Sequence, residues 1–397
     1  MTFRTLLLAA ALAAPGLARA DPADDGARVI FELRARSETV AQEGLQTGHA
    51  LTVRPRLGWR SERRWGLQAL VEGEAVVVLD DRFSAPLRPD PSRPVVGDSE
   101  VMELNRAQLS WRPAASTEAI VGRQRVVLGD GRFLGNSAWR QNEQTFDALR
   151  VTTSAVPGVD LTLVHAEHVR RFPGGDHPQG VWSGAVQAVA AGTDTMAGRL
   201  SALYLTSDFA AQPNQSLRTW VIGLQGERPV GDSLSVTWRF DYGRQDDFGA
   251  NPADFTVDYA RAGVGLHTSS WSVQFGREWL EGDGVAAFQT PLGSNHAYLG
   301  WSDVIGATPA YGLADDFIQV RGALPEAAVG RPLRLAFEAH AFRDAQREFE
   351  VGREFDASAS VALGPHWSLE AKAARFESER PEYADASKFW LTLEYRY

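Results

Sequence analysis

Lys388-Phe389-Trp390-Leu391-Thr392-Leu393-Glu394-Tyr395-Arg396-Tyr397 carries a strict alternation that points to the fold. Phe389, Leu391, Leu393, Tyr395 and Tyr397 alternate with Lys388, Trp390, Thr392, Glu394 and Arg396, so a strand here has one greasy face and one mostly polar face. Alternation of this kind, with aromatic rings near the strand ends, suits a barrel wall standing between lipid and water. The competing reading is the edge strand of a soluble β-sandwich.

Working back along the 397 residues, the same period of two recurs at short intervals, and no long stretch keeps the 3.6-residue period of an amphipathic helix. Strands are expected near 28–36, 51–60, 65–79, 104–112, 120–126, 146–153, 159–165, 181–189, 199–207, 219–226, 234–242, 259–267, 271–280, 317–324, 333–342, 354–363, 367–376 and 388–397. That is an all-β, transmembrane antiparallel β-barrel of 18 strands. Sixteen is the nearest rival, because 181–189 and 297–305 are ambiguous. Short turns at 61–64, 113–116, 156–158, 229–232 and 364–366 alternate with long connections at 80–100, 129–145, 169–180, 244–254 and 281–316. If the first strand leaves the periplasm, the long connections lie outside the cell.

Residues 1–20 read as a secretory signal peptide: basic Arg4, an apolar run from Leu6 to Leu12, and the small-residue site Ala18-Arg19-Ala20 before Asp21. The remainder, 21–397, is expected to be the barrel, placed in the outer membrane of a Gram-negative bacterium. No later segment approaches the roughly 20 apolar residues of a transmembrane helix. Gly 37, Trp 12, Phe 19 and Tyr 8 suit strands, turns and interfacial belts, while the absence of cysteine rules out disulfides and thiolate metal sites.

Parity then orients the charges, since an arginine facing lipid near the midplane costs roughly 2–4 kcal/mol and a lumen-facing one stays wet. This sends Arg34, Arg36, Arg54, Arg56, Arg60, Arg106, Arg112, Arg123, Arg125, Arg150, Arg239, Arg261, Arg321, Arg334 and Lys372 inward. Glu32, Glu72, Glu74, Asp241, Glu338, Asp356 and Glu370 share that parity. Such a lumen is either a water-filled pathway or a locked salt-bridge plug. Barrels of this size are wide enough for an aqueous channel, so conduction leads. Only Lys372 and Lys388 are lysines, leaving 38 arginines, and a planar guanidinium suits a solute bearing carboxylates. Losing Arg4 and Arg19 with the signal takes the net charge from −10 to −12, but charges at a constriction set selectivity, not the sum over the chain. The acidic doublets Asp80-Asp81, Asp246-Asp247 and Asp315-Asp316 fall at strand ends or loops, where solvent screens them.

Two blocks carry a family resemblance. GRQR at 122–125 followed by RFLGNSAWRQNEQTFDALR at 132–150, and FQTPLGSNHAYLGWSD at 288–303, resemble the alginate export family of outer-membrane channels. The resemblance implies an 18-stranded barrel whose arginine-rich selectivity region passes an anionic polysaccharide outward. Its matching positions are Arg123, Arg125, Arg140 and Arg150, with Arg132 nearby; Arg54, Arg56, Arg106, Arg239 and Arg321 complete the candidate pore lining. Gly129, Gly131 and Gly135 permit a tight fold-back that places Arg132, Arg140, Gln141, Asn142 and Gln144 at or inside the pore. Alternatively Arg140, Glu143 and Asp147 form a loop-to-wall network that only holds the loop in shape.

The solute is therefore expected to be an acidic polysaccharide or oligosaccharide of alginate type. The alternative is a general or uptake porin for small organic anions. Expected surroundings are outer-membrane lipid, lipopolysaccharide and, for export, periplasmic components. No phosphate loop, dinucleotide fingerprint or basic nucleic-acid patch occurs, and no cofactor is implied. A lipid-processing barrel enzyme is the third class, but no Gly-x-Ser-x-Gly elbow appears. His165 and His168 have opposite strand parity, which argues against a shared metal there.

Overall fold

Alternation of apolar and polar residues in eighteen segments leaves each segment with one face for lipid and one for water, and a closed sheet is the arrangement that satisfies both while leaving no backbone edge unpaired. The computed structural model describes residues 25–326, 330–347 and 349–397; the signal peptide expected at 1–20 lies outside them. The strands are β1 (Arg28–Gln42), β2 (Gly48–Arg60), β3 (Leu67–Arg82), β4 (Val101–Ala114), β5 (Thr117–Gln124), β6 (Thr145–Thr153), β7 (Val159–Arg170), β8 (Val181–Thr195) and β9 (Gly198–Asp208). They continue as β10 (Leu217–Pro229), β11 (Ser235–Asp247), β12 (Thr256–His267), β13 (Trp271–Leu280), β14 (Leu313–Leu324), β15 (Leu333–Arg343), β16 (Glu350–Ala362), β17 (Trp367–Ser378) and β18 (Ala386–Arg396). Each pairs antiparallel with its neighbours in sequence, and β1 closes on β18 from Glu32↔Arg396 to Gln42↔Ala386. Among the described residues the count is 18; the ambiguous 181–189 is the longer strand β8, and 297–305 is loop.

Parity reads directly off the exposed side chains. Leu51, Leu57, Val71, Val77, Leu109, Val121, Leu149, Ile222, Phe240, Val264, Phe275, Phe337, Phe355, Phe389 and Leu391 are exposed hydrophobics of the wall. An apolar band this continuous would make a water-soluble protein aggregate, and it is what a wall in hydrocarbon requires. Trp59, Trp111, Trp271 and Trp367 stand exposed near the short-turn end, where an aromatic belt meets the membrane interface. The β2–β3 connection shows the turn chemistry. Arg64 and Leu67 exchange both backbone hydrogen bonds around Trp65 and Gly66, whose φ values of 51° and 81° give the twist that a two-residue hairpin needs. The tight turn therefore falls just after the expected 61–64, with Trp65 almost fully exposed at its tip.

Two long connections do not stay outside. Residues 125–144, between β5 and β6, and residues 281–312, between β13 and β14, fold into the barrel and meet lumen-facing side chains of distant strands.

Candidate functional site

The first inner loop is anchored by apolar contact on one side and by charge on the other. Gly129 and Gly131, at φ 60° and 81°, let the chain turn back so that Gly131 and Leu128 bond across the turn. Val126, Leu128, Phe133, Leu134 and Phe146 then pack into one buried cluster with Val164, Ala166, Val186, Ala188, Leu205 and Val221 from the inner wall of β7–β10. Each buried leucine or phenylalanine contributes about 1.5–3 kcal/mol, so this wall holds the loop without any charge.

Arginine does the work on the other side. Arg132, fully buried, is bidentate to Glu278 of β13 at 2.8 and 3.1 Å, and its third nitrogen donates to Thr290 and Asn295 of the second inner loop. Tyr259 completes this knot with a 2.7 Å hydrogen bond to Glu278. Arg239 bridges Asp130 of the loop and Asp241 of its own strand. Against β1 and β2, Arg34 donates to the carbonyls of Ala138 and Arg140, Arg36 to that of Trp139 at 2.8 Å, and Arg54 to that of Gln141.

Carboxylates match these guanidiniums closely. Arg34 meets Glu394 at 2.9 Å, Arg54 meets Glu32, Arg56 meets Glu74 and Glu143, and Arg106 is bidentate to Glu72. Arg125 meets Glu143 at 2.6 Å, Arg321 meets Glu338 at 2.7 Å, and Arg140 meets Asp303 at 2.9 Å. A guanidinium fully neutralised this way exerts little field on a passing solute.

Buried Arg261 meets the Tyr298 and Phe317 rings instead of a carboxylate, and three further exceptions stand out by their register. Arg150 pairs across the sheet with buried Ile120 and points inward; its Nη1 donates to the Arg125 carbonyl at 3.4 Å, and the Glu118 carboxylate of β5 acts on it through space. Arg28 and Arg334 also carry inward parity, in line with buried Ile30 and Glu338. Among the described residues none of these three has a carboxylate within ion-pair distance, and all lie towards the short-turn end.

The second inner loop is clamped to the first. Trp139 stacks on His296, with ring centroids 4.1 Å and planes 10° apart, and meets Trp390 edge-on. The Lys372 ammonium sits 4.0 Å from the Trp139 ring centre, 3.7 Å from that of Trp301, and 2.6 Å from His296 Nε2. Burial, with that ammonium beside it, pushes the His296 imidazole down to about 3. The neutral ring thus accepts from Lys372 and donates from Nδ1 to Asp303 at 3.2 Å. Below it, Ser302 bonds Glu354 through backbone and hydroxyl, and the Trp301 amide donates to Asp356.

Three sequence expectations are corrected. Arg123 does not line the lumen: it pairs in register with Asp147, two residues from the exposed pair Val121 and Leu149, and so stands on the outer face bound to Asp147 at 2.7 Å. Its neighbour Arg125 turns inward because the strand ends at Gln124 and the loop begins. His165 and His168 share the outer face instead of opposing each other, since an irregularity at Glu167 inserts one residue into β7. Among the described residues no group of three or more His, Asp or Glu side chains is placed to hold a metal ion. The doublet Asp315-Asp316 is also not a solvated rim: Asp315 is fully buried against His340 at 2.8 Å, and only Asp316 faces outward, to Arg277 and Arg343. Of the loop-to-wall network, Arg140 and Glu143 hold the loop as ion-paired anchors, whereas Asp147 belongs to the outer face.

Trp139, Asp303 and Glu278 were missing from the sequence-derived set. A lone tryptophan in a polar loop beside Arg140 was the visible signal for the first; nothing local distinguishes Glu278.

Against known proteins, no protein-family model and no curated protein matches the chain, so the alginate-export resemblance of 122–150 and 288–303 finds no support there. Solved structures do match the fold. A BenF-like porin from Pseudomonas fluorescens Pf-5 superposes at TM-score 0.69 with 15% identity, covering 94% of this chain and 98% of its own. Pseudomonas aeruginosa OccK2 (OpdF) in complex with glucuronate gives 0.65 with 13% identity, and P. aeruginosa OpdK with vanillate 0.68 with 14%; each covers 93% of this chain and 98% of its own. The fold is thus that of a porin barrel.

Proposed function

We propose that the protein is an outer-membrane uptake porin for small organic anions bearing a carboxylate. The observation that carries this reading is a set of lumen-facing guanidiniums towards the short-turn end, Arg28, Arg150 and Arg334, that form no ion pair among the described residues. A solute crossing the loop-lined zone meets guanidiniums not locked in ion pairs on the periplasmic side, and inside a low-dielectric wall such charge favours anions over cations. The planar fork of arginine pairs with a carboxylate through two hydrogen bonds, which favours carboxylates over simple halides. Glucuronate and vanillate, the molecules named with two of the superposed channels, are both small carboxylates, and they support the same class here.

A polymer of uronate units fits less well. Two loops clamped together by Trp139, His296 and Lys372, and riveted by Arg132–Glu278, divide the lumen that a chain would have to thread. Outer-membrane lipid surrounds the apolar band, with lipopolysaccharide beside the Arg244–Asp258 and Arg277–Asp316 pairs of the outer rim. No catalytic step is assigned to the wall.

The test is single-channel recording in planar bilayers. Anion preference under a salt gradient, with glucuronate or vanillate interrupting the current in a saturable way, supports the reading. Charge-blind conductance indifferent to both overturns it, and interruption by an acidic oligosaccharide alone returns the polymer.

A further inference from the structure

Glu143 stands two residues before β6 at the end of the first inner loop, and its carboxylate is buried. Oε1 accepts from Arg125 at 2.6 Å and from Asn105 at 2.7 Å and lies 3.0 Å from Arg56 Nη2, while Oε2 accepts from Asn136 at 2.8 Å. Two guanidiniums and two carboxamides, drawn from β2, β4 and the loop itself, converge on one carboxylate. This donor set would recognise a carboxylate on a solute just as well.

When Glu143 leaves, Arg125 loses its nearest carboxylate and the corner becomes more positive by one charge, while the other guanidiniums keep their partners. Glu72 already holds Arg106 with two hydrogen bonds, and Glu74 already holds Arg56. The Glu143 end of the loop is not fused to the wall. Arg54 Nε, Glu74 Oε1, Gln141 Oε1 and Asn142 Oδ1 are buried in the same corner without a hydrogen-bond partner, and Arg56 Nη2, close as it is to Glu143, makes no aligned bond. Orphaned buried polar atoms each cost free energy, and here they accumulate on the seam between loop and wall, weakening the seated arrangement relative to one in which loop or solute regroups them.

We infer that Glu143 is a tethered stand-in for the transported carboxylate: an entering solute carboxylate displaces it from the Arg56–Arg125 cradle, frees this end of the loop, and so opens its own path. No covalent bond changes; one ion pair replaces another. The inference rests on the small-carboxylate reading and adds to it the site and the gate.

The experiment compares wild type with Glu143→Gln, using sodium glucuronate as probe and neutral glucose as control, in single-channel recordings. Glu143→Gln removes the competitor, so the concentration of glucuronate needed for half-maximal interruption falls, by about tenfold if the wild-type cradle stands empty about a tenth of the time. Arg125→Gln in the Glu143→Gln background abolishes that gain, and glucose is silent throughout. If Glu143→Gln fails to assemble, Asn136→Ala, which loosens only the Oε2 tether, gives a smaller fall in the same direction. Anion-selective wild-type channels whose glucuronate sensitivity is unchanged in both variants overturn this inference and leave the porin reading standing. Wild-type channels with no anion preference and no response to glucuronate overturn the porin reading itself.

Discussion

The indole of Trp139 lies flat on the imidazole of His296, and through this contact two loops that leave the wall eight strands apart become one body inside the barrel. Lys372, one of only two lysines in the chain, closes the joint by sitting over both Trp139 and Trp301. An ammonium enclosed by aromatic faces gains about 0.5–2 kcal/mol per desolvated contact, comparable to the ring stacking itself.

Trp139→Ala should therefore uncouple the loops. The expected result is a larger and noisier single-channel conductance, with faster proteolytic cleavage in 125–144. Conductance identical to wild type would mean that the clamp does not narrow the path.

Glu278→Ala strands the Arg132 guanidinium, which is fully buried, with only neutral partners. Breaking one side of a buried pair costs about 3–5 kcal/mol. The urea midpoint of the barrel refolded into vesicles should fall accordingly, while Arg277→Ala, next door on the outer face and exposed, should move it by under about 1 kcal/mol.

Lipid contact is tested by Leu391, exposed on the outer face near the middle of β18 and paired with Ser37 and Ala371. Leu391→Arg should destabilise the barrel by about 2–4 kcal/mol, and Leu391→Phe should be nearly silent in the same unfolding assay. Equal tolerance of both would place this face in water.

Acid should release the loop only at the extreme. Burial by itself raises the Glu143 carboxyl, but the Arg125 and Arg56 guanidiniums outweigh it and hold the group well below the usual carboxylate range. A depressed native value means that Glu143 contributes fully above the unfolded value of about 4.3 and loses its contribution as pH falls through the native one. Conductance substates should thus be unchanged between roughly pH 5 and 8, with a new open level appearing only in stronger acid. Glu143→Gln should show that level at every pH.

Much of the wall was legible because its signal is local. A period of two needs only the residues of one strand, and a short turn such as Gly364-Pro365-His366 announces itself; hence the strand number and the inward parity of Arg54, Arg56, Arg239 and Arg321 could be read from the chain. Arg123 failed for a physical reason. Continuous alternation puts Arg123 and Arg125 on one face, but β5 stops at Gln124, so the chain turns between them and sends one to the outer face and the other inside. The same holds for His165 and His168, where a single inserted residue reverses parity. The pairings of Arg132 with Glu278 and of Trp139 with His296 join residues more than a hundred positions apart, and no spacing rule encodes which loop enters a lumen or what it meets there.

The most direct test of the account is the reversal potential of single channels under a salt gradient, compared for Arg150→Ala and Arg123→Ala. The expected outcome is an anion-selective wild type, a clear shift towards cations for Arg150→Ala, and no shift for Arg123→Ala. An unchanged potential in Arg150→Ala, or a shift as large in Arg123→Ala, would contradict it.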